Sequence, residues 1–265
     1  MNLSVICSRV REISEESGAY IRDHLNKLSG ESIEKKGVND FVTEVDKTSE
    51  KMLIHSLRKV LPGAGFIVEE AGTIERSDQY NWIIDPLDGT TNFIHGLPPH
   101  SVSVALMDQN RVILGMVLEV VSRECFYAWK DSPAYLNNAE IKVSGAQALK
   151  DSLVATGFPF TDFSRLEPYL ETIKQILHNT QGIRRFGSAA VDLAYIACGR
   201  FDAFFEYNLK PWDVAAGAFI IQQAGGLVTD FSKEDNFIFG KELITANKHI
   251  FDDFYKVVHD GMTGK

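Results

Sequence analysis

Two aspartates stand three residues apart at the end of an apolar stretch of the sequence. The apolar residues 82–84 are followed by Asp85 and Asp88, and Gly89 comes directly after the second acid. Asp, Pro and Gly are also the commonest turn-forming residues, so the segment taken alone is more simply explained as a tight exit from a strand. The other explanation is a pair of metal ligands, and it depends on whether further acids converge on the same place.

Three more segments place acids beside apolar stretches. Glu69 and Glu70 follow the apolar residues 66–68, whereas Asp46 and Asp213 each precede a helical pattern. Taken singly, the glutamates are explained as a solvated strand end and the aspartates as ordinary helix N-caps. Two converging carboxylates about 4 Å apart would repel by about 4 kcal/mol at an effective dielectric constant of about 20. Several such pairs exceed a domain's whole stability of about 5–15 kcal/mol, so convergence would require protons or cations.

The residue types predict which cation this would be and what it would serve. Oxygen-only ligands favour Mg²⁺ over Zn²⁺, and the 7 histidines show no HExxH or similar spacing. Gly89 lets the backbone approach a ligand, and the N–H groups of Gly89, Thr90 and Thr91 form an anion cradle if they begin a helix. A divalent cation beside an anion cradle indicates phosphoryl chemistry.

The composition argues against several other classes of function. The chain carries 27 Lys and Arg against 36 Asp and Glu, a formal net charge of −9, which disfavours a nucleic-acid-binding surface. Its 3 cysteines are far apart and form no CxxC pattern, which predicts reduced thiols in a cytoplasm. Residues 1–20 carry charges throughout, and no stretch approaches the roughly 20 apolar residues of a spanning helix. We therefore expect neither a signal peptide nor a membrane anchor.

The periodicity of apolar residues predicts two kinds of half. Helical spacing predicts helices from residue 3 to about residue 28 and from residue 46 to residue 61. Short β-type runs follow and predict an antiparallel sheet with a hairpin turn at residues 108–110. These runs are residues 66–68, 82–84, 101–106, 112–121 and 125–129.

After about residue 144 strands and helices alternate, which predicts an α/β arrangement. We expect an α+β N-terminal half, residues 1–143, packed on an α/β C-terminal half, residues 144–265, with a ligand in the crevice between them. Asp213 is predicted to cap the helix that follows it. The predicted strands are residues 152–155, 183–186, 201–205, 227–229 and 243–245, and the predicted helices are residues 166–177, 188–197, 213–224 and a last one at the C-terminal end.

Several of these segments resemble the inositol monophosphatase family of Mg²⁺-dependent, lithium-sensitive phosphatases. Residues 82–93, Trp-Ile-Ile-Asp-Pro-Leu-Asp-Gly-Thr-Thr-Asn-Phe, are similar to the family's first signature, and residues 212–217, Trp-Asp-Val-Ala-Ala-Gly, to its second. Residues 42–46, 69–70 and 187–190 match in family order, so the resemblance extends from about residue 35 to residue 226. It implies a layered αβαβα sandwich that usually forms a homodimer.

The resemblance also implies a set of metal ligands. Glu69, Asp85 and the Leu87 carbonyl would hold one Mg²⁺, and Asp85, Asp88 and Asp213 would hold a second. A third and weaker metal would lie near Glu69. The implied cofactor is thus two or three Mg²⁺ per subunit, with Mn²⁺ as a substitute and Li⁺ as an inhibitor.

Further roles follow from the same resemblance. Thr90, hydrogen-bonded to Asp46, would orient the attacking water and help to deprotonate it, and Lys35 and Asp40 match a mobile loop that closes over the metals. Arg184 and Arg185 could meet a second phosphate, but a strand-end salt bridge or a dimer contact is the simpler explanation. The implied catalytic residues are Glu69, Asp46, Thr90, Asp85 and Asp88. The implied substrate-binding residues are Glu69, Leu87, Asp88, Gly89, Thr90, Gly187, Ser188, Ala189, Glu206 and Asp213.

The implied activity is hydrolysis of a small phosphomonoester, above all myo-inositol 1-phosphate, by an activated water. One alternative is a bisphosphate phosphatase acting on fructose 1,6-bisphosphate or 3′-phosphoadenosine 5′-phosphate. Another is a non-catalytic regulatory binding protein that kept the fold. The expected partners are a small phosphorylated polyol or sugar and a second copy of the chain, without nucleic acid or membrane.

Overall fold

The computed structural model describes residues 1–27, 33–37, 40–159 and 161–263 of the chain. The helices in these ranges are α1 Leu3–His24, α2 Glu44–Val60, α3 Thr90–Ile94, α4 Leu166–Asn179, α5 Ala189–Ala197, α6 Pro211–Gln223 and α7 Phe251–Thr263. The strands are β1 Ile33–Gly37, β2 Asp40–Thr43, β3 Gly65–Val68, β4 Gly72–Ile74, β5 Tyr80–Asp88, β6 Ser101–Asp108, β7 Arg111–Glu119, β8 Glu124–Trp129, β9 Ala134–Leu136, β10 Ala139–Ile141, β11 Leu153–Thr156, β12 Gly182–Arg184, β13 Ala203–Tyr207, β14 Gly226–Thr229 and β15 Glu242–Asn247.

Two large sheets organise the described part of the chain. The first has 8 strands in the order β10-β9-β8-β7-β6-β5-β3-β4, and the second has 5 strands in the order β12-β11-β13-β15-β14. Strands β1 and β2 form a separate antiparallel pair. Within the described ranges no helix is long and apolar enough to cross a membrane.

Helices cover both sheets and produce the layered αβαβα sandwich. One core lies between the first sheet and α1 and α2. A second core contains α5 and α6 between the two sheets. The third lies between the second sheet and α4 and α7. Residues on all faces of α5 and α6 are buried, as expected for helices enclosed within a protein.

Both sheets are mixed, which corrects the predicted antiparallel first sheet. Strands β3 and β5 run parallel, because α2 leads into β3 and the β4 hairpin returns the chain to the same side. In the second sheet β11 is parallel to β12 and β13, whereas β15 is antiparallel to β13 and β14. Hydrophobic runs located the strands but did not encode which neighbour each one pairs with.

The predicted N-cap roles of Asp46 and Asp213 are wrong. Helix α2 is capped by Thr43, and α6 begins at Pro211 after Lys210, so both aspartates lie in the first turn. Each accepts a hydrogen bond from the backbone N–H of the residue three positions earlier, at 2.9 Å for Asp46 and 2.7 Å for Asp213. Proline at the first helical position has its φ already set for a helix, which explains the earlier start of α6.

Two further predictions concern segment limits. Helix α1 ends at His24 and not near residue 28, and residues 28–30 lie outside the described residues. The boundary after residue 143 falls between β10 and β11, which belong to different sheets. We propose it as the division between two halves that share the core around α5 and α6.

The close packing of β7 on α6 yields a stability prediction. A Cβ on Gly115 would lie 2.6 Å from the backbone oxygen of Ala216, which cannot move without shifting α6. We expect Gly115→Ala to lower the free energy of unfolding by about 1–3 kcal/mol, as overpacking of a core does. Denaturant unfolding followed by circular dichroism measures this change.

The matched control is Gly145→Ala, because an added Cβ there meets no atom within 4 Å. Its stability should stay the same or rise by less than about 1 kcal/mol. Equal stabilities for the two variants would contradict the packing argument.

Candidate active site

A cavity of about 650 Å³ opens where the two halves meet. It brings together most of the residues predicted from the sequence, which come from five separate segments. Asp46 is not among the residues that line this cavity, and the side chains of Lys35 and Asp40, in β1 and β2, are outside the described part of the structure. The predicted residues that line the cavity are Glu69, Asp85, Leu87, Asp88, Gly89, Thr90, Gly187, Ser188, Ala189, Glu206 and Asp213.

A β-bulge in β5 turns both aspartates of the first motif toward the cavity. Side chains alternate along a strand, so residues 85 and 88 would ordinarily point to opposite faces. Here Asp85 pairs with Ser103 and Asp88 with Ser101, so three steps along β5 match two along β6. The extra residue restores the phase and places both carboxylates on one face.

Hydrogen bonds fix one oxygen of each of the three aspartates. Asp85 Oδ1 accepts the Leu87 N–H at 2.9 Å, and Asp213 Oδ2 accepts the Lys210 N–H. Asp88 Oδ2 accepts the Ser188 hydroxyl at 2.6 Å and the Ala190 N–H at 2.8 Å, at the start of α5. Within the described residues these bonds leave the second oxygen of each aspartate available to a cation.

Burial and mutual repulsion raise the pKa values of these acids. Burial contributes most for Asp85, followed by the charges of Glu69, Asp88 and Asp213, and its pKa lies well above the ordinary value. Burial and then Asp88 raise the pKa of Asp213 to about 7. The close approach of these buried acids therefore favours their protonated forms.

The donor chemistry suits Mg²⁺, because every candidate ligand atom is a carboxylate or carbonyl oxygen. The positions of these acids match a metal site less closely than their residue types do. In the described ranges no group of three or more His, Cys, Asp and Glu side chains is arranged, as it stands, to hold a metal ion. The residues fit the cation by type and by shared cavity, not by a closed ligand cage.

Thr90 links the cavity to α2. Its hydroxyl lies 2.9 Å from Asp46 Oδ1 and 3.1 Å from the Leu87 carbonyl oxygen, and a hydroxyl has one proton to donate. Asp46 Oδ2 is already held by the N–H and hydroxyl of Thr43. If a cation takes the Leu87 carbonyl, the Thr90 proton is directed to Asp46, and the Thr90 oxygen keeps its lone pairs for another donor.

Gly89 makes the turn from β5 into α3 possible. Its φ of 92° lies in the left-handed region, and a Cβ there would approach the Pro99 carbonyl oxygen to 3.0 Å. Helix α3 has only 5 residues, so its individual N–H groups matter more than its dipole. The predicted anion cradle thus depends on Gly89 and the first residues of α3.

The opposite wall of the cavity carries acids that sequence reasoning only partly found. Glu206 is buried in β13 and its carboxyl group lies against Gly157, where an added Cβ would lie 2.0 Å from Glu206 Oε1 and force the Glu206 side chain to move. Asp192 is also buried, and its Oδ1 has no hydrogen-bond partner among the described residues. The sequence analysis missed Asp192, because an acid inside an apolar helix pattern resembles an exposed position.

Arg185 also lines this wall, whereas the sequence favoured a strand-end salt bridge or a dimer contact. Burial and then Glu206 and Asp88 raise the pKa of Asp192, while Arg185 lowers it. Burial, Asp213 and Asp88 raise the pKa of Glu206, which Arg185 likewise opposes. The wall therefore combines two acids and one cation, a set that can recognise hydroxyl groups.

Comparison with known proteins gives consistent results. Residues 3–262 match the family model described as the inositol monophosphatase family. The chain is 42% identical over 243 residues to Nus factor SuhB of Pseudomonas aeruginosa, covering 90% of each protein. It is 32% identical to inositol-1-monophosphatase of Mesorhizobium japonicum, over 100% of both. The crystal structure of extragenic suppressor protein suhB from Bartonella henselae is similar with a TM-score of 0.88 and 37% identity, covering 94% of this chain and 96% of that one.

The raised pKa values predict how pH affects the metal-free protein. The pKa of Asp213 is about 7 when folded, against about 3.9 in an unfolded chain. The unfolded state therefore loses its proton first, so the contribution of Asp213 is complete below about pH 4 and is lost as pH rises to about 7. In EDTA, wild-type protein should lose stability over this range relative to Asp213→Asn.

Denaturant unfolding at pH 4, 5, 6 and 7 measures this difference. The exposed Asp151→Asn is the control, and its stability should follow that of wild type at every pH. A constant difference between wild type and Asp213→Asn would show that this carboxyl group is not perturbed.

Proposed function

Because the chain belongs to the inositol monophosphatase family, we propose that it hydrolyses a small phosphomonoester, with myo-inositol 1-phosphate as the preferred substrate. The observation that carries the proposal is the Thr90–Asp46 hydrogen bond beside a cavity lined by Glu69, Asp85 and Asp88. A proton acceptor thus lies beside a cavity that acids suited to divalent cations line. The name of the M. japonicum relative supports the substrate.

Mg²⁺ would be held by Glu69, Asp85 and the Leu87 carbonyl at one position and by Asp85, Asp88 and Asp213 at another. Bound there, such cations lower the pKa of water and stabilise the leaving oxygen of an in-line displacement. We extend the proposal to two or three Mg²⁺ per subunit, with Mn²⁺ as a substitute, Li⁺ as an inhibitor and a homodimer as the assembly. We also propose that Lys35 in β1 and Asp40 in β2 belong to a segment that closes over the site.

The chain itself supplies a path for the proton of the attacking water. With a cation on the Leu87 carbonyl, Thr90 would donate its own proton to Asp46, so its oxygen could accept a hydrogen bond from water and fix the direction of attack. As the water oxygen bonds to phosphorus, the bond from phosphorus to the ester oxygen breaks, a water proton passes to Thr90 Oγ1, and the Thr90 proton passes to Asp46 Oδ1. The departing alkoxide takes its proton from solvent water. Burial raises the pKa of Asp46, which makes this carboxylate a better proton acceptor.

The organic part of the substrate would contact the opposite wall. Glu206 and residues 187–189 line the same cavity as Gly89 and Thr90. A buried carboxylate accepts hydrogen bonds from hydroxyl groups and rejects apolar analogues, because these would leave it unpaired. This arrangement favours a polyol phosphate.

A panel of phosphate esters with released phosphate as the readout tests the proposal. It should contain myo-inositol 1-phosphate, fructose 1,6-bisphosphate and 3′-phosphoadenosine 5′-phosphate, each assayed in Mg²⁺. Preference for either bisphosphate would replace the proposed substrate with the alternative on the same fold. Absence of hydrolysis in the whole panel would remove the enzymatic proposal.

A second candidate function is that of a Nus factor, the name carried by the P. aeruginosa relative at 42% identity. This is the non-catalytic alternative in a specific form. The two candidate functions can be separated by expressing wild type and Asp88→Asn in P. aeruginosa that lacks this relative. Equal rescue by wild type and variant would favour a function independent of catalysis.

Asp88→Asn should lower turnover at least about 10²-fold, comparable to the loss of a well-placed charge stabiliser. Asparagine keeps an oxygen for Ser188 and Ala190, so the fold should remain while the charge is removed. Steady-state kinetics in excess Mg²⁺ measures the effect, and Asp151→Asn is the matched control. Near-normal turnover of Asp88→Asn would contradict its proposed role.

Thr90→Ala should depress kcat and spare Mg²⁺ affinity, because the hydroxyl contacts the water and not the cation. Kinetics together with calorimetric Mg²⁺ titration distinguishes the two effects. Thr73→Ala removes an exposed hydroxyl from the edge strand β4 and should leave both quantities unchanged. If Thr90→Ala weakens Mg²⁺ binding as strongly as it reduces kcat, its proposed role is wrong.

A further inference from the structure

One face of α2 carries three polar side chains that are buried against the candidate site. Asp46, Ser49 and Glu50 occupy positions i, i+3 and i+4, which lie together on a helix surface. Each bonds to a different part of the site: Asp46 to Thr90, Ser49 to the bulge in β5, and Glu50 to the turn after β3. Nothing in the proposed chemistry yet uses Ser49 or Glu50.

Glu50 holds the turn that carries Glu69. Val68 pairs with Gly72, so residues 69–71 form the short connection between β3 and β4 and their N–H groups are outside the ladder. Glu50 Oε2 accepts the Glu70 N–H at 2.8 Å, and Oε1 accepts the Ala71 N–H at 3.0 Å. Bonds to a buried carboxylate are stronger than neutral ones, so they fix the turn relative to α2.

Ser49 holds the bulge that carries Asp85 and Asp88. The bulge takes Pro86 out of the regular ladder, and the Pro86 carbonyl accepts the Ser49 hydroxyl at 2.9 Å. Ser49 Oγ is also 2.6 Å from Ser17 Oγ in α1. Because Ser49 has one proton, which Pro86 receives, Ser17 must be the donor in the second bond. Two consecutive hydrogen bonds, each donated toward the bulge, therefore connect α1 through α2 to β5.

We propose that Ser49 and Glu50 are positioning residues that set the distance between Glu69 and the Asp85–Asp88 bulge, and through it the affinity for divalent cations. The inference rests on the proposed function, because it assigns these residues a role at the same site. The two acid-bearing segments are connected to one rigid helix by bonds to their backbones. Loss of the bonds made by Ser49 or by Glu50 removes no acid, but it allows the segment that carries the acids to move.

The test is calorimetric titration of the full-length protein with Mg²⁺, without substrate. Glu50→Gln keeps the length of the side chain but replaces one acceptor oxygen with an amide group. Ser49→Ala removes the bond to Pro86. Loss of partners that orient metal ligands typically weakens metal affinity about 10- to 100-fold, and we expect Glu50→Gln to fall in this range. Ser49→Ala should weaken binding about 10-fold.

Leu57→Ala is the matched control on the same helix. Leu57 is fully buried in the core between α2 and the first sheet, and it forms none of the hydrogen bonds to the site segments. Its truncation should lower the thermal midpoint and leave Mg²⁺ affinity at the wild-type value. Thermal unfolding of all variants shows whether the Mg²⁺ affinity follows the stability or the position of the substitution. In saturating Mg²⁺, the kcat of Glu50→Gln and of Ser49→Ala should recover toward wild type.

The outcomes separate the inference from the proposed function. Wild-type affinity in both site variants would overturn the inference and leave the function intact. A loss of affinity in Leu57→Ala that matches its loss of stability would also overturn it. If wild type itself takes up no Mg²⁺, the proposed function fails and the inference with it. Should Glu50→Gln not fold, Ser49→Ala decides alone.

Discussion

The interaction on which the site depends is repulsion between carboxylates that share one partly buried cavity. Asp85 experiences the charges of Glu69, Asp88 and Asp213 in addition to its own burial. Such an arrangement opposes folding unless the surrounding structure holds each acid and a counter-charge is available. Much of the local structure is explained as the means of imposing this proximity.

The chain imposes it through backbone groups. The Leu87 and Lys210 N–H groups hold Asp85 and Asp213, and the start of α5 holds Asp88. Backbone donors cost little entropy to fix because the strands and helices already order them. The bulge in β5 shifts the alternation of side chains along the strand, which no side-chain interaction could achieve.

The sequence predicted the acids and the cation that they would bind, because apolar runs that end in Asp or Glu are visible in the sequence itself. It also gave most strand and helix positions, although α6 starts at Pro211 and not at Asp213. It could not reveal the bulge, because the pairing of residues 85 and 88 with 103 and 101 depends on β6. The contacts of Ser49 and Glu50 could not be predicted, since their partners are remote in sequence. Asp192 was missed for a different reason, because an acid within an apolar helix pattern resembles an exposed position.

The bonds between Asp88 and the start of α5 have a consequence for how ligands enter. Asp88 ends a strand of the first sheet, while Ser188 and Ala190 belong to the segment enclosed between both sheets. A hinge motion that separated the halves would pull Asp88 away from the hydroxyl and N–H groups that hold it. We therefore expect ligands to enter through the opening of the cavity while its two walls stay at a fixed separation.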